Sequence, residues 1–123
     1  MTDSSPVGKV SSIVIDTTAE DLEALVEFWK AILGLEEKAR YPSFVWLTRV
    51  SDNGPALAFQ VVPEAKATKN RLHLDLAVDD RDGFAAHVEA LGGGRVDQHT
   101  TGDFTWNVMA DPAGNEFCIF SHG

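Results

Sequence analysis

The feature that most constrains this chain is that its second half repeats its first. Phe44 and Trp46, in "FVW", recur 60 residues on as Phe104 and Trp106, in "FTW". Asp52 recurs as Asp111 after 59 residues, "SIVID" (12–16) lies over "HLDLA" (73–77) after 61, and "LAFQV" (57–61) matches "NEFCI" (115–119), placing Phe59 over Phe117 after 58. Markers that return in order at a nearly constant offset are the mark of a duplicated module. One longer first helix and one longer turn absorb the small drift, so whatever this chain folds into, it builds twice.

Each copy reads the same way. "KVSSIVID" (9–16) is a strand, and Thr18 followed by Asp21 resembles a capping signal for the helix after it. In that helix Leu22, Leu25, Val26, Trp29, Ile32 and Leu33 form an amphipathic stripe, and Gly34 stands where a left-handed cap belongs. Strands follow at about 35–40, 43–50 and 56–62, the last two separated by the turn "SDNGP". The polar stretch "PEAKATKN" (63–70) reads as a linker. "RLHLDLAV" (71–78) is again a strand and "DDRDGFAAHVEAL" again a helix, with Phe84, Val88 and Leu91 on one face and Gly92 to Gly94 closing it. Strands are expected near 95–99, 104–110 and 115–121, and "DPAGNE" (111–116) as a turn in which Gly114 takes a positive φ. The fold class is α+β: two tandem βαβββ modules in one domain over 1–123, the first at about 8–62, the linker at 63–70 and the second at about 71–121.

Strand periodicity assigns faces. Leu72, Leu74, Leu76 and Val78 point toward the helix, as do Ile13 and Ile15, which leaves His73, Asp75 and Ala77 on the other face with Ser12, Val14 and Asp16. The last strand of each copy adds Ala58, Gln60 and Val62, and Glu116, Cys118 and Phe120. His73 and Asp75 form either a base with its orienting carboxylate or a polar pair lining a pocket. Cys118 is either a nucleophile or a small buried hydrophobe. Phe44, Trp46, Phe104 and Trp106 make either an aromatic wall or core. His87, beside Phe84, is expected to be half-buried, and His99 and His122 solvated.

Charge narrows the partners. Ten basic against 19 acidic residues give a net charge of −9, which repels phosphate backbones and anionic membrane and either favours a cationic ligand or serves solubility alone. The single cysteine excludes an internal disulfide, no apolar run approaches the roughly 20 residues that span a bilayer, and "MTDSSPVGK" lacks the apolar core of a signal peptide. A cytoplasmic protein is expected.

The paired modules, with "FWKAILGL" (28–35), "HLDLAVDD" (73–80) and "DPAGNEFCIF" (111–120), resemble the vicinal oxygen chelate superfamily of glyoxalases, bleomycin-resistance proteins and extradiol dioxygenases, over about residues 8 to 121. The resemblance implies that the strands of each module curl into a half-open sheet under the helix, that the sheets surround a cavity, and that the protein is a homodimer. Metal-using members take ligands from the first and fourth strand of each module, which corresponds here to Ser12, Gln60, His73 and Cys118. A serine hydroxyl and a glutamine amide bind a divalent ion weakly, and two good ligands make an incomplete zinc site. Asp75 and Glu116 could complete one only in a register unlike the family's.

The expectation is therefore a protein without a metal or other cofactor; if a metal is held, His73 with Gln60 holds it. The pocket-lining set is His73, Asp75, Gln60, Ser12, Cys118, Glu116, Trp46 and Trp106. The function implied is metal-independent binding of a small cationic or aromatic compound, as in bleomycin-resistance proteins. The alternative is a metal-dependent lyase, isomerase or dioxygenase with His73 as a ligand.

Overall fold

Apolar residues repeating with period 2 become strands and those repeating with period 3.6 become helices, in the order the duplication demands. The structure is a computed structural model that describes residues 10–68, 70 and 72–121. The first copy runs β1 (Ser12–Thr17), α1 (Leu22–Leu33), β2 (Glu37–Tyr41), β3 (Phe44–Arg49) and β4 (Ala56–Val61). The second runs β5 (Asp75–Ala77), α2 (Arg81–Ala90), β6 (Gly94–Thr101), β7 (Phe104–Ala110) and β8 (Glu116–Phe120). Each makes one four-stranded sheet, in the orders β1-β4-β3-β2 and β5-β8-β7-β6. The helix crossover lets β1 pair parallel with β4 and β5 parallel with β8, while the other pairs are antiparallel.

Helix α1 joins the copies. Thr18 Oγ1 accepts the Asp21 N–H just before the helix, and Gly34 ends it in the left-handed region at φ 66°. Its buried face carries the expected stripe and, beyond it, Phe28. That extra ring widens the apolar face enough to cover both sheets. Phe117 of β8 lies 5.0 Å from the Trp29 ring and 6.1 Å from that of Phe28. Close approach also requires Gly93, where a Cβ would stand 2.6 Å from the Ala110 oxygen and 3.1 Å from the Phe28 ring. The core is accordingly continuous within one chain, running from Val45, Leu57 and Phe59 to Met109, Phe117 and Ile119.

The "DPAGNE" turn does more than reverse the chain. Gly114 takes φ 89°, as the turn needs, and the buried Asp111 Oδ1 accepts the N–H groups of Ala113 and Asn115. Its Oδ2 accepts the Trp29 indole N–H at 3.0 Å, tying the second module's turn to the first module's helix. Burial pushes the Asp111 carboxyl above its ordinary range, while hydrogen bonds from Asn115, Trp29 and Ala113 pull against that rise.

Register corrects the residue matching of the repeat. Ile15 pairs with Phe59 and Leu76 with Ile119, so with "SIVID" over "HLDLA" the counterpart of Phe59 is Ile119, not Phe117. By the same pairing Ala58, opposite Val14, is the counterpart of Cys118, opposite Asp75. Trp106 lies opposite Phe120 and so takes the place of Phe44, opposite Gln60, rather than that of Trp46. A shift of two residues leaves every side chain on its face and changes only its neighbours.

Other expectations also change. The strand expected over 71–78 is regular only from Asp75 to Ala77, and Leu72 is 74% exposed instead of packed under a helix. The cause is its neighbour: β8 begins at Glu116 because Asn115 is held in the Asp111 turn, so backbone pairing starts where Leu74 accepts the Cys118 N–H. His87 is exposed, with its ring 6.3 Å from Phe84. His99 belongs to β6, while Lys9, Arg71 and His122 lie outside the described residues.

Candidate functional site

The open face of the second sheet gathers most of the chemistry. The two-residue loop Gly102–Asp103, with Gly102 at φ 61°, sets the β6–β7 register and places His99 opposite Trp106. The two rings stack at 5.3 Å. Phe104 lies 5.6 Å from Trp106 and 5.7 Å from Phe120, which completes a wall of four rings. Across from it the β5 and β8 side present Asp75, Glu116 and Cys118, with His73 just before β5. Wall and floor enclose a cavity of about 620 Å³, which Asn70, Val108 and Phe117 also line.

His73 Nδ1 and Asp75 Oδ1 lie 3.0 Å apart, within hydrogen-bond reach. Both side chains are about half exposed, and Cys118, on the neighbouring strand, is partly buried. One ligating atom from each of the three lies within 4.8 Å of the others. A second cavity of about 370 Å³ lies where β1 meets the chain before β5, and it shares Asn70, His73, Glu116 and Phe117 with the first. Asp16, Val14 and Lys66 line its far side.

The expected set divides along module lines. His73, Asp75, Cys118, Glu116 and Trp106 meet around one cavity. Ser12 and Gln60 do not meet: Ser12 is opposite Ala56, while Gln60 is opposite Asp16, four residues along the strand or roughly 13 Å. Trp46 packs at 5.0 Å on Phe44, opposite Ala58, and lines neither cavity. Ser12 and Gln60 therefore supply no adjacent pair of ligands from the first module, and the counterpart of Cys118 there is Ala58, whose methyl group donates nothing. The residues present do not fit the family's cross-module metal centre, and no chemical step is derived through one.

His99 and the tie from Arg81 to the sheet join the site only through tertiary contacts. The alternation of Asp97, His99 and Thr101 ahead of a Gly-Asp loop is the available signal, since a two-residue loop fixes which side chains face each other. Arg81, at the start of α2, donates to the buried Asn107 Oδ1 on β7 and so anchors the helix over this sheet. No local pattern announces that contact, which spans 26 residues.

A profile of the glyoxalase-like domain matches residues 12–120. The chain belongs to the glyoxalase-like domain family. Its fold is that of the vicinal oxygen chelate superfamily. The chain is similar to a glyoxalase/bleomycin resistance protein/dioxygenase family enzyme from Burkholderia phytofirmans PsJN, with a TM-score of 0.74 at 21% identity, covering 93% of this chain and 98% of that one. It is similar to the fosfomycin resistance protein FosX from Mesorhizobium loti (TM-score 0.70, 16% identity, 94% and 92% covered). It is also similar to a lactoylglutathione lyase from Agrobacterium tumefaciens (0.64, 20%, 95% and 96%). At these identities the likeness is one of fold. No curated protein sequence matches the chain at a significant level. Among the described residues no helix of this glyoxalase-like chain is long and apolar enough to cross a membrane.

Proposed function

We propose that this glyoxalase-like protein binds a small planar cation in the second-module cavity and sequesters it without chemical change. The observation that carries the reading is the pairing, across one cavity of about 620 Å³, of a wall of four aromatic rings, His99 stacked on Trp106 beside the tilted Phe104 and Phe120, with the carboxylates of Asp75 and Glu116. That volume suits a drug-sized molecule. A flat cation gains stacking and cation–π attraction from Trp106 and His99, and the net charge of −9 raises its local concentration. Fosfomycin and bleomycin resistance are named for proteins of similar fold, which supports a protective binding role. None of these interactions requires a metal.

Thermal-shift and calorimetric titration with an acridine-type cation tests this. Wild-type protein is expected to bind it one to one and melt higher in its presence. Trp106→Ala should fold normally and lose at least tenfold in affinity. Absence of binding by wild type, or equal binding by the variant, overturns the reading. Cytoplasmic location and a homodimer complete it: the one cysteine suits a reducing compartment, and a second copy would cover the exposed Val14 and Tyr41 on the first sheet. Light scattering checks the dimer.

A further inference from the structure

We propose that the seam between the two modules is a second binding site, one that takes a short aliphatic amine. Strands β1 and β5 are edge strands of their sheets, and among the described residues no backbone ladder joins them. The gap stays open because β5 is regular only from Asp75, and Leu72 before it turns outward, 74% exposed. What remains is the cavity of about 370 Å³ beside the aromatic one. Its inner end is apolar: Ile15 and Leu74 come from the two edges, and the buried Trp29 and Phe117 close it.

Charge decides the ligand. Asp16 and Glu64 stand exposed at the rim and Glu116 at the boundary with the aromatic cavity, against one cation, Lys66, whose ammonium already donates to the Thr68 carbonyl. Three carboxylates against one ammonium repel an organic anion and attract an amine. An alkyl chain displaces water from the apolar inner end, which supplies most of the affinity, while its ammonium stays partly hydrated among the rim carboxylates. Carried to the bottom, the same charge would lose its water with no partner there, so the chain enters tail first. The site stands on the seam and not on the aromatic wall, which supplies none of its lining.

Hexylamine, compared with hexanol and hexanoate by calorimetry and methyl NMR, is the test. Wild-type protein should bind hexylamine one to one, at least tenfold tighter than hexanol, and hexanoate not at all. The methyl signals of Ile15 and Leu74 should shift, and those of Val108 in the aromatic cavity should not. Val62→Trp fills the seam and should abolish binding. Asp16→Asn with Glu64→Gln should bring the amine down to the level of the alcohol, whereas Asp52→Asn with Asp82→Asn, which removes the same charge away from the seam, should not. Melting curves check folding, and the Asp16 and Glu64 pair decides if Val62→Trp does not fold. Trp106→Ala should lose the planar cation and keep the amine, so that the two readings fail separately. No binding by wild type, equal affinity for amine and alcohol, shifts centred on Val108, wild-type affinity in a folded seam variant, or loss of the amine in Trp106→Ala or in the Asp52 and Asp82 variant overturns the proposal.

Discussion

On the open face of the first sheet the row Val14, Ala58 and Trp46 carries no charged or ligating group, whereas the matching row of the second, Asp75, Cys118 and Val108, carries a carboxylate and a thiol. One row along, Asp16, Gln60 and Phe44 face Ala77, Phe120 and Trp106, so there the polar groups belong to the first sheet. Strand order and direction are the same in both copies, and the rows that carry the polar side chains have exchanged places. Duplication preserves what the hydrophobic pattern enforces, namely strand order and the face each residue takes. It leaves the open face free to diverge, because no core depends on it.

The largest test asks whether the copies are separate at all. Phe117→Ala removes the ring that meets both Phe28 and Trp29, and should cost about 3–5 kcal/mol with unfolding still in one transition. Two transitions by denaturant or calorimetry would mean that the modules stand independently and would break the comparison. Next come the ties that hold each helix to its sheet. Arg81→Ala leaves the Asn107 carbonyl buried without its donor and should cost about 1–3 kcal/mol. Its first-module analogue, Arg40→Ala, leaves only the exposed Glu23 and Glu37 and should lower the melting temperature far less, and less again in high salt.

Binding sharpens the contrast at a smaller scale. Trp106→Ala should weaken a planar cation at least tenfold while Trp46→Ala leaves it unchanged; equal losses would restore a wall built from both sheets. The smallest effect belongs to the junction. Because burial raises the folded Asp111 carboxyl above 3.8, the native state binds its proton more tightly than the unfolded chain does. This group's contribution is therefore full below pH 3.8 and is lost as pH rises through the raised value. Asp111→Asn should remove that slope from a plot of stability against pH, and an unchanged slope would assign it elsewhere.

Most of the fold was legible in the residues. Leu22, Leu25, Val26, Trp29 and Ile32 are buried on α1 as their spacing requires, and the strands fall within a few residues of the alternating runs. Phe28 falls outside the stripe, because a single apolar stripe leaves out the side of the helix that meets a second sheet. The site was legible by half. Period 2 put His73, Asp75 and Cys118 on one face, but it could not tell that Gln60 would stand beside Asp16 instead of Ser12. Sequence pattern marks His99 only as a solvated residue, since only pairing across the Gly102–Asp103 loop makes it Trp106's neighbour.

The sequence by itself determined the double βαβββ order, the inward and outward face of each strand, and the acidic surface, because these follow from local periodicity and composition. Tertiary structure alone decided which side chains on a face are neighbours. A shift of two residues between strands keeps the hydrophobic pattern intact and buries the same area, so no local signal opposes it; only the lengths of the turns and the packing of Trp29 against Phe117 and Asp111 choose among registers.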